Sequence, residues 1–463
     1  MGAQAGSELA NLITSDLVVN SGAYEVIVDG LSTVLDERGL PALVVPDRGL
    51  TDEQAARVLA VSAFGRVGEP EHVIAERLFG DQAGVSFDPV AGYTVGSYAG
   101  AVADEDARAL SSSGGLTTWL LKELITRRLV DGVIHLADSD DEASPLYAYR
   151  ISRTVDDVQR GAKTRYFPGH LGGQLREILQ AGGRYAVVGI PSVLYEVRLA
   201  TVQEPALADR IPYFVGLICG HQKSARYADS LAWQVGVEPG AARSIDFRAK
   251  LDGRKANAYG TRIIGTGADG SLVDVTLPTS DFYGTDWGLG FFKANFSDFS
   301  DDVLNETADV VFGDAWLPEY VDDPRGTNVV LSRSRELDAI LLAGARSGEL
   351  HLDPLPVARV RQSQGGLIRH GRELLPARLA YLRSRSEFVP STRFASTGKP
   401  SIARRHVQRM RVQMARASHS AFRSAVESGE FAHFPAAMRP LTREYEAAYR
   451  TAALMSKIKR RFR

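Results

Sequence analysis

The sequence predicts an α/β fold: a mixed sheet flanked by helices, with a β-rich insertion and a mostly helical, basic C-terminal region. Three observations carry this. Short apolar runs alternate with helical periodicity across residues 91–224, the pattern of strands joined by helices. Residues 245–290 then read as successive strands, at 245–250, 259–264 and 273–277. Beyond Pro354 the chain is rich in arginine and apolar positions recur at helical spacing.

Taken in order, the first fifty residues mix an amphipathic start with a strand-like run at 41–46. Residues 51–65 read as a helix capped by Thr51 with Glu53 following, and about forty loop-rich residues come next. A strand is expected at 92–98 and a short helix at 104–110. The run Ser111-Ser112-Ser113-Gly114-Gly115 leads into a helix ending near Arg128. Strands follow at 133–136 and 148–151, and helices at 155–160 and 171–181. Residues 184–192 form a strand entering a turn at Gly189-Ile190-Pro191-Ser192, and a further strand ends at 216–219. The apolar run 308–312 is a buried strand that stops at the turn pair Gly313-Asp314. Helices are expected at 402–426 and 441–458, after a Pro/Ser/Thr linker at 389–401.

With 463 residues the chain has material for two or three domains. Boundaries are expected at 1–90, 91–350 and 351–463. Net charge is -2, unevenly spread. From His351 onward 23 Lys/Arg stand against 7 Asp/Glu. The plain reading is an acidic body docked by a basic tail. An anionic membrane surface is the sharper one. The tail lacks interleaved aromatics, so no nucleic acid is expected as partner. The lone cysteine, Cys219, excludes internal disulfides and any all-cysteine cluster. No signal peptide pattern or membrane-length apolar run stands out, so a cytoplasmic protein is expected, able to sit peripherally at the inner membrane face.

Several stretches carry chemistry. A Ser-Gly-Gly turn at a helix start suits a phosphate, through free N–H groups and close approach; an ordinary serine cap suits the residues equally. Gly189-Ile190-Pro191 ends a strand at the carboxyl edge of the sheet, where ligands usually lie. Lys163, Arg165 and Tyr166 could clamp a diphosphate and stack on a ring, or form a solvated loop. Ser192 lacks the elbow of a hydrolase nucleophile. Cys219 and His221 are two potential ligands, which do not make a metal site, so none is assigned. His135 reads as a satisfied strand histidine. The acidic run 138–142 reads as a solvated loop. Ser297 and Ser300 stand in a Ser-x-x-Ser spacing where cysteines would read as cluster ligands.

In succession, Ser113-Gly114-Gly115, Lys163-x-Arg165-Tyr166, Gly189-Ile190-Pro191, 216–224, the turn from Phe282 to Gly288 and Glu306 to Trp316 resemble the coenzyme F(420) hydrogenase/dehydrogenase beta-subunit family. The likeness is strongest to a branch associated with polysaccharide building, and covers about residues 10–350. It implies FAD in an α/β domain (91–350) and a degenerate ferredoxin-like N-terminal segment (1–90). It assigns Ser113, Gly114, Gly115, Thr117, Lys163, Arg165, Tyr166, Gly189 and Pro191 to the flavin, and places Ser192, His221 and Lys223 near the substrate. The family's cluster cysteines match Val18, Ser21, Tyr24, Ser192, Ser297 and Ser300 here. These are poor iron ligands, so no iron–sulfur cluster is expected. The resemblance therefore implies a cluster-free, FAD-dependent oxidoreductase of glycan or secondary metabolism, taking hydride from a diffusible donor. A non-redox, sugar-binding or sugar-modifying protein on the same scaffold, with the flavin lost, is the alternative. A small-molecule substrate and a homo-oligomer complete the expectation.

Overall fold

A computed structural model describes residues 2–139, 145–393 and 400–461. The expected linker and acidic loop lie partly outside those residues, and the stretch 457–463 lies outside the described side chains. The strands in chain order are β1 (Ser32–Leu35), β2 (Pro41–Val44), β3 (Ser86–Asp88), β4 (Gly92–Thr94), β5 (Gly96–Val102), β6 (Gly132–Asp138), β7 (Tyr147–Ser152), β8 (Tyr185–Gly189), β9 (Tyr213–Leu217), β10 (Val237–Ala249), β11 (Gly260–Gly267), β12 (Leu272–Pro278), β13 (Val310–Asp314), β14 (Asn328–Ser332) and β15 (Leu350–Pro354).

Eight of them form one mixed sheet in the order β15-β5-β14-β13-β9-β8-β6-β7. Its centre, β13-β9-β8-β6, is parallel, and antiparallel strands close both edges. The central strands are apolar on both faces because helices cover both. Ala186, Val188, Tyr213, Val215, Val310 and Phe312 pack with helices Leu116–Thr126 and Arg335–Ser347. Their alternates Val187, Phe214 and Val311 join a second core with helix Pro191–Gln203 and the N-terminal segment. The period of two is the pleat itself.

The expected β-rich insertion is the antiparallel sheet β10-β11-β12. It shares a third core, dominated by aromatic rings, with helices Ile402–Ser428 and His433–Arg461. Phe292 lies edge-on to Phe422 with ring centroids 5.4 Å apart. The C-terminal helices therefore pack on the insertion. The basic tail also docks on acidic groups of the body: Arg361 meets Asp88 at 2.8 Å, and Arg423 meets Glu37 at 2.6 Å. Arg393 meets Glu71, Asp301 and Glu306 at 3.0, 2.9 and 2.7 Å.

Some local expectations need correction. The loop-rich stretch contains helix Glu71–Phe79 and the β3–β4 hairpin. The Thr51 helix ends at Ala60, and its capping-box partner is Gln54. The strand expected at 92–98 is two strands, β4 and β5. Gly313 and Asp314 belong to β13 and pair with Val329 and Asn328, so they are not a turn. A side chain at Gly313 would stand 2.6 Å from Ile218, which explains the glycine. The last helix begins at His433 and runs through Pro440. Among the described residues no helix is long and apolar enough to cross a membrane.

Candidate functional site

The carboxyl ends of β8, β9 and β13 open onto a cavity of about 280 Å³, where open α/β sheets usually hold ligands. It collects Ser113, Gly115, Thr117, Lys163, Arg165, Tyr166, Gly189, His221 and Lys223. Residues more than a hundred positions apart thus share one wall, because parallel strands end on the same side of the sheet.

The serine turn is tightly built. Gly115 precedes the helix in a left-handed conformation, φ +83°, which glycine adopts without a Cβ penalty. Gly114 is a glycine for another reason and does not line the cavity. A Cβ there would lie 2.6 Å from the Gly100 carbonyl oxygen and 2.9 Å from the Asn328 amide. Asn328 Oδ1 accepts from the Leu116 amide at 3.2 Å and so caps the helix from β14. Ser113 donates to the Thr327 carbonyl at 3.2 Å. Ser112 accepts from the Thr164 amide at 2.8 Å, tying the turn to the Lys163 loop.

Cations crowd this end. Lys163 has φ +105° and meets Asp246 at 2.9 Å. Arg165 meets Asp138 at 3.2 Å and lies 4.8 Å over the Tyr147 ring. Arg248 forms a two-point pair with Asp314, at 2.8 and 2.9 Å. Arg248 and Lys250 share a small adjoining hollow with Ser112 and Arg254. Burial pulls the Lys250 ammonium down to about 8, and repulsion from Lys163, Arg108 and Arg248 adds to the shift.

The other end is aromatic. Tyr166 is edge-on to Trp287 at 4.9 Å and to Phe247 at 5.5 Å. His221 lies 5.6 Å from Trp287 on one side and 5.6 Å from His370 on the other. Burial, with Lys293, His370 and Lys223 nearby, holds its imidazole well below the usual range and therefore neutral. Lys223 donates to the Phe291 carbonyl at 2.5 Å, between the rings of Trp287 and Tyr227 at 4.8 and 4.9 Å. Burial and then Lys293 lower it to about 7.

Pro191 and Ser192 form the first turn of helix Pro191–Gln203 and point elsewhere in the fold. They line a separate hollow of about 10 Å³ with Cys219, Ser297, Ser300 and His370, room for about one water. One turn along the same helix, the fully buried Glu196 accepts from Ser21 Oγ at 2.7 Å and from the Tyr24 hydroxyl. Asp298, between the two serines, is buried with Lys293, His370 and Arg378. Val18 faces a third hollow, of about 180 Å³. Ser192, Ser297 and Ser300 therefore meet at one helix start, and Ser21 reaches the same helix one turn on.

Sequence reasoning missed Arg248, Lys250 and Glu196. Arg248 stands near the end of β10 with Lys250 just past it, and Glu196 lies four residues after Ser192, so spacing could have flagged them. Asp246, Asp138 and Asp314 carried no signal as partners, because each contact is long-range.

Residues 182–357 match the family model for the C-terminal part of the coenzyme F420 hydrogenase/dehydrogenase beta subunit. Residues 97–176 match the model for the N-terminal part of the same protein. No curated protein matches the chain. A solved chain of the F420-reducing [NiFe] hydrogenase complex from Methanosarcina barkeri, studied with xenon, is similar at 18% identity and a TM-score of 0.47. The likeness covers 64% of this chain and 96% of that one. Together the two family matches span more than half of the sequence, and by them the chain belongs to the coenzyme F420 hydrogenase/dehydrogenase beta-subunit family, an oxidoreductase scaffold.

Proposed function

We propose that the chain is an FAD-dependent oxidoreductase that works without iron–sulfur clusters, on a small substrate of glycan or secondary metabolism, with a diffusible hydride donor. One observation carries this reading: of the nine residues that the resemblance assigns to a flavin, all but Gly114 and Pro191 line a single cavity at the sheet's carboxyl edge. The donor set fits a dinucleotide. Ser112, Lys163, Arg248 and Lys250 gather at the glycine turn, where a diphosphate would be held by charge and close backbone approach. Tyr166, backed by Trp287, forms an apolar wall that excludes water from a ring system. When bound, FAD supplies two-electron hydride chemistry. Lys223, lowered to about 7, can hold or release a proton at Nζ near neutral pH. Neutral His221, whose Nδ1 is buried without a partner among the described residues, can offer a hydrogen bond without adding charge.

The positions matching cluster cysteines do not fit a cluster. Ser192, Ser297 and Ser300 offer hydroxyls around a hollow of about 10 Å³, and Ser21 and Tyr24 are committed to Glu196. Iron–sulfur clusters need thiolates.

One observation favours the second reading, a non-redox protein with the flavin lost. Lys163, Arg165 and Arg248 are each already matched by a carboxylate. The visible spectrum of freshly purified protein decides between them. Two flavin bands, or their recovery on adding FAD, support the first reading. A colourless protein that fails to take up FAD supports the second. A broad brown shoulder would contradict the cluster-free part of both.

A further inference from the structure

Trp287 is the ring on which the inner wall of the cavity leans. It touches Tyr166, His221 and Lys223, all three of which line the cavity. Its own turn is braced from behind by the C-terminal helices. A Cβ built at Gly288 would stand 2.7 Å from the Tyr445 hydroxyl and 3.4 Å from Arg411 Nη2. Arg411 Nη2 donates to that hydroxyl at 3.3 Å, and Arg411 Nη1 approaches His370 Nδ1 at 3.4 Å. His370 in turn packs on His221. The Phe292 amide, just after the turn, donates to Ser418 at 2.8 Å. Arg411 thus links the two supports of the wall, Tyr445 behind the Trp287 turn and His370. Residues 402–461 lie outside both family matches, so this brace is an addition to the matched scaffold.

We propose that the C-terminal helical pair supports the ligand cavity from behind, and that Arg411 and Tyr445 are positioning residues that set Trp287 against Tyr166, His221 and Lys223. The choice of FAD as probe rests on the function proposed above; the positioning itself does not.

The test uses the full chain. Gly288→Ala pushes a methyl group against the Tyr445 hydroxyl at 2.7 Å and Asp286 Oδ1 at 3.0 Å, and Tyr445→Phe removes the nearer oxygen. Acrylamide quenching of the Trp287 emission, taken as the difference from Trp287→Phe, is read first without ligand. It rises in Gly288→Ala and returns in Gly288→Ala/Tyr445→Phe. FAD binding, read by equilibrium titration, weakens about fivefold in the single variant, as ~1 kcal/mol of overpacking implies, and recovers in the double one. Arg411→Gln, which needs no new space, raises quenching in the same way. Unchanged quenching in folded Gly288→Ala or Arg411→Gln overturns the proposal. A wild-type chain that ignores FAD while quenching follows this pattern refutes the flavin reading and upholds the brace.

Discussion

Ser21 donates its hydroxyl to Glu196 at 2.7 Å and its amide to the same oxygen at 3.2 Å, across 175 residues of sequence. The Tyr24 hydroxyl takes the other carboxylate oxygen. Burial raises the Glu196 carboxyl to about 7 from an ordinary 4.5, against the hydrogen bonds from Tyr24 and Ser21 that favour its charged form. Between those two values the folded state holds the proton more tightly than the unfolded chain. Stability is therefore lost as pH rises from 4.5 through 7. The shift corresponds to about 3 kcal/mol at pH 8. Glu196→Gln removes that pH dependence. Paired urea titrations of both proteins at pH 5 and pH 8 check it; parallel curves would refute the assignment.

The pair Arg248–Asp314 makes a second case. Arg248 is nearly buried, and Asp314 holds it at two points. Asp314→Ala leaves a buried guanidinium without its partner, a loss of about 3–5 kcal/mol. Arg248→Met/Asp314→Leu, which removes both charges, regains most of it. Denaturation midpoints of the two variants measure the difference. Equal losses would show that packing, and not the uncompensated charge, dominates.

Legibility in the sequence followed the range of the interactions. The central strands were readable because burial on both faces demands unbroken apolar runs, as in 185–188 and 213–215. Helix 155–160 was readable from its local cap, Thr154, which accepts from the Asp157 amide. Gly313-Asp314 misled because glycine and aspartate favour turns locally. Here a distant arginine and a close-packed Ile218 hold them in a strand. The same division runs through the site. Lys163, Arg165 and Tyr166 stood out as a cluster, whereas Asp246, 83 residues from Lys163, could not. Gly114 and Gly115 looked alike on paper and differ in cause: one is crowded by strand backbone, the other needs a left-handed turn.

That difference is testable. Gly114→Ala drives a Cβ into the β5 and β14 backbone, neither of which can yield as a side chain would. It should cost more than ~3 kcal/mol, beyond usual overpacking. Gly115→Ala meets only side-chain atoms, Ser111 Oγ and a Val102 methyl at 3.0 Å, and adopts an unfavourable φ, at about 1–2 kcal/mol. Thermal unfolding without ligand ranks the two. A milder effect at Gly114 than at Gly115 would refute the crowding of Gly114 by strand backbone.

Lys223 gives the last prediction. Its ammonium is lowered to about 7 by burial and by Lys293, and no carboxylate lies within ion-pairing distance of it among the described residues. Below pH 7 it is charged, and above it neutral, so a ring carbonyl accepting from it there binds more tightly on the acid side. A charge-assisted hydrogen bond is worth about 1.5 kcal/mol, or roughly tenfold in affinity. FAD affinity should accordingly fall about tenfold between pH 6 and pH 8. Lys223→Gln should flatten that dependence and keep the weaker value throughout. Calorimetric titration across this range reads both. Should wild type and variant fall in parallel, the titrating group lies elsewhere, and Lys250, lowered to about 8 at the diphosphate end, is the next to substitute.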